Sequence, residues 1–360
     1  MNTQNEVANP MRHILIDIAE SGLLAPSADN EHIFRVEFGD DFIRLWPSTA
    51  FANTDAQHRR VLGLISLGAV LENMKLRAAE LGYATDIQID KDAQASGPLA
   101  KVSIAAGAVG PASELAPFIS ARCTNRRMYK GPKLSKDELD ALTGAIEPSS
   151  EVRLIHLVGD ARKQALKLVW RAESERFLRK TLHEEIFSSI RFDLPWNASA
   201  DVALPPGALE IELPMRPFFK MLRHWQLMKP LTLLGAHHMV GMRAGWLPAW
   251  QAPGLFAMTT KRDPQQGAID GGAAFQRVWL MATRLGLAFQ PLAASAVLLL
   301  QTDQDKGAAT SLRQELRAGW QVIAPGTHPL MVLRIGRANP PSVRAGRKGL
   351  RDYMQQTQSA

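Results

Sequence analysis

Arg122-Cys123-Thr124-Asn125-Arg126-Arg127-Met128-Tyr129 places three guanidiniums and a hydroxyl within residues 122–127 and closes on an aromatic ring. Arg122 and Arg126 lie four apart with Thr124 between them, so they can close on one phosphate from two sides. Arginine suits that task because its planar fork makes bidentate, charge-assisted hydrogen bonds. A short arginine cluster is a weak motif, and the same run also fits a solvated basic turn ahead of a helix. A second basic group, Arg344, Arg347 and Lys348, stands in the C-terminal tail, where a solvated terminus is the plain alternative. Ala25-Pro26-Ser27-Ala28-Asp29-Asn30 is a run of turn formers whose Ser27 and Asn30 side chains can reach a ligand or serve only the turn.

Other chemistries find less support. His237 and His238 are adjacent, so on a helix they point apart, which is poor spacing for a metal. No GxGxxG run precedes a helix, and the single cysteine, Cys123, rules out an internal disulfide and a Cys-rich zinc site. The sequence contains no apolar run of the roughly 18 residues a membrane span needs, and the first helical pattern carries Asp17 and Glu20, unlike a signal peptide. A cytoplasmic protein is the expectation. The 360 residues carry a formal charge of +7, compatible with an anionic cofactor, with nucleic acid or with a membrane surface, and choosing none. No nucleic-acid-binding fold is visible in the pattern.

The positioning elements follow from hydrophobic period. Helices are expected over 11–24, 57–82, 135–146, 160–190 and 268–287. Strands are expected at Phe34–Phe38, Phe42–Trp46, Tyr83–Ile89, Val102–Ala106, Arg153–Val158, Ser295–Gln301 and Leu330–Ile335. Pro111 to Ser120 looks like a connector. Residues 193–260 hold 8 of the 22 prolines and 4 of the 8 tryptophans, which marks an insertion or lid rather than scaffold. Within it, Arg216, Lys220, Arg223, His224 and Lys229 interleave with Phe218, Phe219, Met221, Leu222 and Trp225. That mixture reads as a lid wall, with a membrane-surface helix as the alternative.

Two of the helices resemble each other. Residues 65–84 and 269–288 align without gaps at eight identities in twenty, among them Ile65/Ile269, Gly68/Gly272, Leu76/Leu280 and Gly82/Gly286. Each half also opens with a helix ending in Pro-Ser, at Pro26-Ser27 and Pro148-Ser149. The chain therefore reads as two diverged copies of one unit fused head to tail, a covalent mimic of a two-fold dimer. Only the second copy has the arginine cluster and basic tail, and only the first has the loop ending in Asn30, so one working site at the interface is expected.

On these residues the chain resembles the nitroreductase family of FMN-dependent oxidoreductases, and its fused form is most like the Acg-type branch. Arg122-Cys123-Thr124-Asn125-Arg126 is similar to the family's Arg-x-Ser-x-Arg phosphate motif. Ala25 to Asn30 is similar to its Ala-Pro-Ser-x-x-Asn loop, which reaches the flavin from the other copy. Gln290-Pro291-Leu292-Ala293-Ala294 is similar to the loop whose backbone N–H groups face flavin N5. The family often continues the Asn loop as Asn-x-Gln-Pro-Trp, where this chain has Asn30-Glu31-His32-Ile33-Phe34.

The resemblance implies an α+β pseudo-dimer with helices around central sheets, its halves spanning 1–110 and 111–360 with the lid at about 193–260. It implies FMN bound by Arg122, Thr124, Arg126, Arg127, Arg344, Arg347 and Lys348, by Pro26, Ser27, Ala28 and Asn30, and by Pro291, Ala293 and Ala294. Arg126 or Arg127 is the candidate cation beside the flavin's N1 and O2. Neither a catalytic side chain nor a metal is expected. NAD(P)H would reduce the flavin and a nitroaromatic, quinone or similar small molecule would take the electrons, in a monomeric pseudo-dimer. A lid that buries the flavin would give instead an FMN-sequestering protein with little turnover.

Overall fold

The computed structural model describes residues 10–90, 97–107, 114–148, 150–305 and 307–354. Ser149 and the start of the Pro111–Ser120 connector lie outside the described residues. The first half contains α1 (Pro10–Leu23), β1 (Phe34–Phe38), β2 (Phe42–Pro47), the single turn α2 (Thr49–Ala52), α3 (Gln57–Glu80), β3 (Tyr83–Ile89) and β4 (Ala100–Ala106). The second half begins with α4 (Lys136–Gly144) and β5 (Val152–His156). A long helical excursion follows: α5 (Gly159–Leu178), α6 (Lys180–Ser188), α7 (Arg216–Leu222), α8 (Trp225–Leu233), α9 (Ala236–Gly241) and α10 (Leu247–Gln251). The chain then returns as β6 (Gly254–Thr260), α11 (Pro264–Arg284), β7 (Ala288–Leu292), α12 (Ala294–Val297), α13 (Thr310–Ile323) and β8 (His328–Gly336).

The two sheets have one topology. Their strand orders are β1-β2-β4-β3 and β5-β6-β8-β7, and every neighbouring pair is antiparallel. In each, the long helix α3 or α11 follows the second strand. The chain is thus α+β and built from two units of the same plan. Both long helices end at a glycine with positive φ, Gly82 at 84° and Gly286 at 69°, a conformation open to glycine without a Cβ clash.

The units meet where α3 crosses α11. A Cβ on Gly68 would stand 1.9 Å from the Ile269 carbonyl oxygen, and one on Gly272 would stand 2.0 Å from the Ile65 carbonyl oxygen. These are the residue pairs the repeat aligns, so the contact is reciprocal, as in an isologous interface. Flanking it, Gln276 Nε2 donates to Asn73 Oδ1 at 2.6 Å and Arg277 Nη1 to Glu72 Oε1 at 2.8 Å. Under the same alignment these two contacts also exchange, with a neutral amide pair on one side and an ion pair on the other.

Three expectations are corrected. The 193–260 insertion cannot extend to 260, because β6 is buried throughout as an inner strand of the second sheet. Compared with the first unit's turn between β1 and β2, the excursion runs from residue 157 to 253. Ser295–Gln301 is α12 followed by a 3-10 turn at Leu298–Leu300, and the strand is Ala288–Leu292. That apolar run sits in the cluster around α5 and α13, so its alternation carries no sheet. The helix expected over 160–190 breaks at Arg179, whose backbone is extended (φ −98°, ψ 129°).

Gly68→Ala and Gly272→Ala are each expected to lower unfolding stability by about 2–3 kcal/mol, because a backbone oxygen blocks the new methyl group. Gly144→Ala, with nothing within 4 Å of the added Cβ, is expected to be neutral or slightly stabilising. Urea unfolding of the three variants checks this; equal stability for all would remove the crossing from its central place.

Candidate functional site

The site lies along a seam where four segments meet: the 24–30 loop of the first unit, the 120–129 segment, the 199–212 stretch of the excursion, and the C-terminal tail. After β8 the tail runs back to the first unit, where the Tyr353 carbonyl accepts from Val36 N at 2.6 Å and Leu350 and Tyr353 join the first core. On the way it passes the arginines. Asn125 anchors the 120–129 segment, its N–H donating to Phe289 O at 3.0 Å and its Nδ2 to Asn339 O at 2.8 Å.

Arg122 is buried, 6% exposed, and donates through Nη2 to Leu24 O at 2.8 Å. Its guanidinium lies over the Trp279 ring at 4.5 Å, and its Nε is buried without a partner. Arg347 donates to Asn30 Oδ1 and, at 3.2 Å, to Ala25 O, and its Nε is also orphaned. Arg344 lies nearer the surface and donates through Nη2 to the carbonyls of Ser120, Ala121 and Arg122 at 2.8, 3.1 and 3.2 Å. Burial pushes the Arg122 guanidinium down to about 9, and the charges of Arg347 and Arg344 add to the shift. Burial holds Arg347 low as well. Among the described residues none of the three has a carboxylate partner.

A second cationic pole stands on the sheet side. Arg334 of β8 is fully buried, donates to Gln290 Oε1 at 2.6 Å and to Asn125 O at 3.3 Å, and lies over the Tyr129 ring at 3.9 Å. Its Nη1 has no partner. Burial, opposed by Tyr129 and reinforced by Arg126, lowers it to about 10. Arg126 donates to Ala208 O of the excursion at 3.2 Å and is itself pushed down by burial. Pro291 pairs with Leu333 in the sheet beside this pole, and immediately after β7 Ala293 is the N-cap and Ala294 the first residue of α12.

The remaining expected residues divide. Ser27 Oγ is buried with no partner, and no hydrogen bond holds the Thr124 hydroxyl among the described residues, so both are free to donate. Pro26 and Ala28 shape the loop, whose Asp29 and Asn30 both take positive φ, 52° and 62°. Asn30 is buried and its amide is spent on the chain itself: Nδ2 lies 3.3, 3.2 and 3.2 Å from the carbonyls of Ala200, Asp201 and Gly346. It ties loop, excursion and tail together. Arg127 donates to Ser342 Oγ at 2.8 Å and stands 3.6 Å from Glu210, and Lys348 pairs with Glu31 at 2.6 Å. These two cations have carboxylates of the chain and stand apart from the two uncompensated poles.

Two residues join the site that motif spacing passes over. Arg334 is the lone charge inside Leu330-Met331-Val332-Leu333-Arg334-Ile335, and a charge within an apolar strand is the mark that reveals it. His32 is buried beside the loop, bonded through Nε2 to Leu23 O at 2.9 Å, and burial holds it neutral at about 4.

Guanidinium groups only donate hydrogen bonds, so Arg122 and Arg334, buried with orphaned nitrogens and no carboxylate at ion-pair distance among the described residues, are able to take an anionic ligand. No protein-family model matches the chain. It is 24% identical over 357 residues, 92% of this chain and 47% of the relative, to an uncharacterized protein of Mycobacterium tuberculosis. The chain thus spans about half the length of that curated relative. Among solved structures, it is similar to an FMN-dependent nitroreductase from Mycobacterium smegmatis in complex with NADPH, with 17% identity, a TM-score of 0.38, and coverage of 68% of this chain and 99% of that one. A nitroreductase with bound FMN from Bacteroides fragilis matches at 14% identity and a TM-score of 0.36, covering 69% and 97%. A protein from Anabaena variabilis matches at 11% identity and a TM-score of 0.43, covering 92% and 89%.

Folding buries the Arg122 guanidinium with no carboxylate partner among the described residues, which disfavours its charged form relative to the unfolded chain. Arg122→Met is therefore expected to stabilise the ligand-free protein at neutral pH by about 1–4 kcal/mol. Inorganic phosphate is expected to raise the melting temperature of the wild type and leave that of the variant unchanged. Thermal unfolding with and without phosphate checks both, and a phosphate shift that survives in Arg122→Met would place the anion elsewhere.

Proposed function

We propose that the chain binds FMN in the seam between its two units and acts as an FMN-dependent oxidoreductase of the nitroreductase type. The observation that carries this reading is the pair of buried, uncompensated guanidinium poles flanked by the free Ser27 and Thr124 hydroxyls. FMN matches that donor set, with a dianionic phosphate at one end and an electron-accepting ring at the other. When bound, it supplies hydride chemistry between NAD(P)H and a small acceptor such as a nitroaromatic or a quinone.

The chain's own residues would bind and orient. Arg122, Arg344 and Arg347, with Thr124, would neutralise the phosphate, and Ser27 would donate to the linker between phosphate and ring. Arg126 and Arg334 would face the redox-active end, where a buried cation raises the reduction potential. The backbone N–H groups of Ala293 and Ala294 would meet the ring edge. Asn30 would act as a positioning residue rather than a ligand, and Arg127 and Lys348 as anchors of the excursion and tail. In this reading residues 1–110 and 111–360 are two copies of one unit, and only the second supplies phosphate-binding arginines.

The excursion favours a second reading. Residues 199–212 lie across the seam and are bonded to it by Asn30, by Gly346 N to Ala200 O at 2.9 Å, and by Glu210 to the Ser342 hydroxyl at 2.9 Å. A cover held at so many points would retain FMN and keep nicotinamide out.

The visible spectrum of the purified protein, after incubation with FMN and then with anaerobic NADPH or NADH, separates these readings. Flavin bands that bleach are the expected result. Bands that persist with both donors would assign the sequestering role, and no bands at all would sink the FMN site. In the FMN-loaded protein, Arg334→Met is expected to lower the flavin midpoint potential by about 30 mV or more, the two-electron equivalent of ~1.4 kcal/mol. An unchanged potential would leave Arg334 a structural group.

A further inference from the structure

The excursion carries a second feature that the seam does not use. Of the thirteen large apolar side chains exposed among the described residues, ten lie between Leu213 and Trp250, on α7 to α10 and the turns joining them. The turn between α8 and α9 presents Leu233 and Leu234 at 89% and 83% exposure, and Leu213 and Met239 stand at 71% and 69%. Met215, which precedes α7, and Phe218 and Met221 on it recur every third residue, so they lie close together on its outward side. The inward residues, Leu222 and Met228, pack with Phe177, Phe187 and Ile190. The layer is therefore anchored from beneath and bare above. Soluble surfaces scatter their exposed apolar residues, and a concentration of this kind marks a contact surface.

Its charge points to the occupant. Residues 213–251 contain five Lys or Arg and no Asp or Glu. The whole chain has 42 basic and 35 acidic residues, so the rest is close to balance at 37 and 35, and five of the net +7 reside in this stretch. Lys220 on α7, Arg223 in the turn after it and Lys229 on α8 are exposed and have no carboxylate partner among the described residues. A second copy docked on the same face would set these cations against one another. An anionic bilayer would accept both components, with the leucines and methionines entering the acyl boundary and the lysines and arginines meeting lipid phosphates. No helix among the described residues is long and apolar enough to cross a membrane.

We propose that the α7–α10 layer is a docking surface for anionic phospholipid bilayers, with the Leu233-Leu234 turn as its inserting tip. This does not rest on the flavin reading. The test is sedimentation of the full chain with vesicles of phosphatidylcholine alone or with added phosphatidylglycerol, at low and high salt. The expected result is binding to the phosphatidylglycerol vesicles that salt reverses and that phosphatidylcholine alone does not support. Leu233→Asp/Leu234→Asp is expected to weaken binding at least about tenfold, and each of Lys220→Glu, Arg223→Glu and Lys229→Glu about fivefold. The substituted side chains are exposed, and circular dichroism checks that the variants fold. Failure of the wild type to sediment with either vesicle would overturn the proposal, as would binding indifferent to salt and to every variant. Self-association without vesicle binding, abolished by Leu233→Asp/Leu234→Asp, would assign the face to a second copy.

Discussion

The crossing of α3 and α11 at Gly68 and Gly272 is the constraint on which the rest depends. Neither glycine can gain a methyl group without striking a carbonyl oxygen of the other helix, so the helices pass with backbone against backbone. That close approach fixes the distance between the two sheets and brings the 24–30 loop of one unit against the 120–129 segment of the other. The reciprocity of the contacts, Gly68 on Ile269 and Gly272 on Ile65, is the geometry of a two-fold axis. The axis is no longer exact: Asn73–Gln276 on one side answers Glu72–Arg277 on the other. A covalent connection leaves the two sides free to differ, and the polar residues of the crossing do differ.

The seam accepts an electrostatic cost that a merely structural interface would avoid. Burying a guanidinium without a carboxylate disfavours its charged form, and Arg122 and Arg334 both carry that burden. Backbone carbonyls and aromatic faces offset part of it: Leu24 O and Trp279 for Arg122, Asn125 O and Tyr129 for Arg334. Arginines with ordinary structural duties in the same region, Arg127 and Arg337, have Glu210 and Glu138. The contrast within one seam separates cations paired with carboxylates of the fold from cations that, among the described residues, have none.

How much of this was legible in the sequence depends on whether a feature is local. The glycine-bearing helices could be aligned because their constraint, a small residue at a crossing, falls on the same position in both. Arg122, Arg126, Arg344 and Arg347 could be picked out because charge clusters are visible at short range, though which of them lack carboxylates could not. Arg127 and Lys348 look identical to the others until Glu210 and Glu31 arrive from distant segments. β6 was hidden for a related reason: a short strand buried on both faces has no alternation, and the prolines and tryptophans upstream drew it into the excursion. The run after Ala293 failed the opposite way, since an apolar stretch buried on all sides resembles a strand by composition. Arg334 could have been found as a lone charge in an apolar strand, but its meaning comes from Gln290, 44 residues away in sequence and adjacent in the sheet.

The excursion between β5 and β6 unites the two surfaces that the core plan does not explain. Its 199–212 stretch lies over the cations of the seam, and its helices from Arg216 onward form the bare, basic layer. The two parts are joined at a short interval. Glu210 takes Arg127 and the Ser342 hydroxyl on the seam side, while two residues later Glu212 takes Arg243 on the layer side. The first unit, whose β1 and β2 are joined by a tight turn, has neither the cover nor the layer. Asymmetry between the units is concentrated in one insertion, and that insertion meets the outside of the molecule at one end and the buried cations at the other.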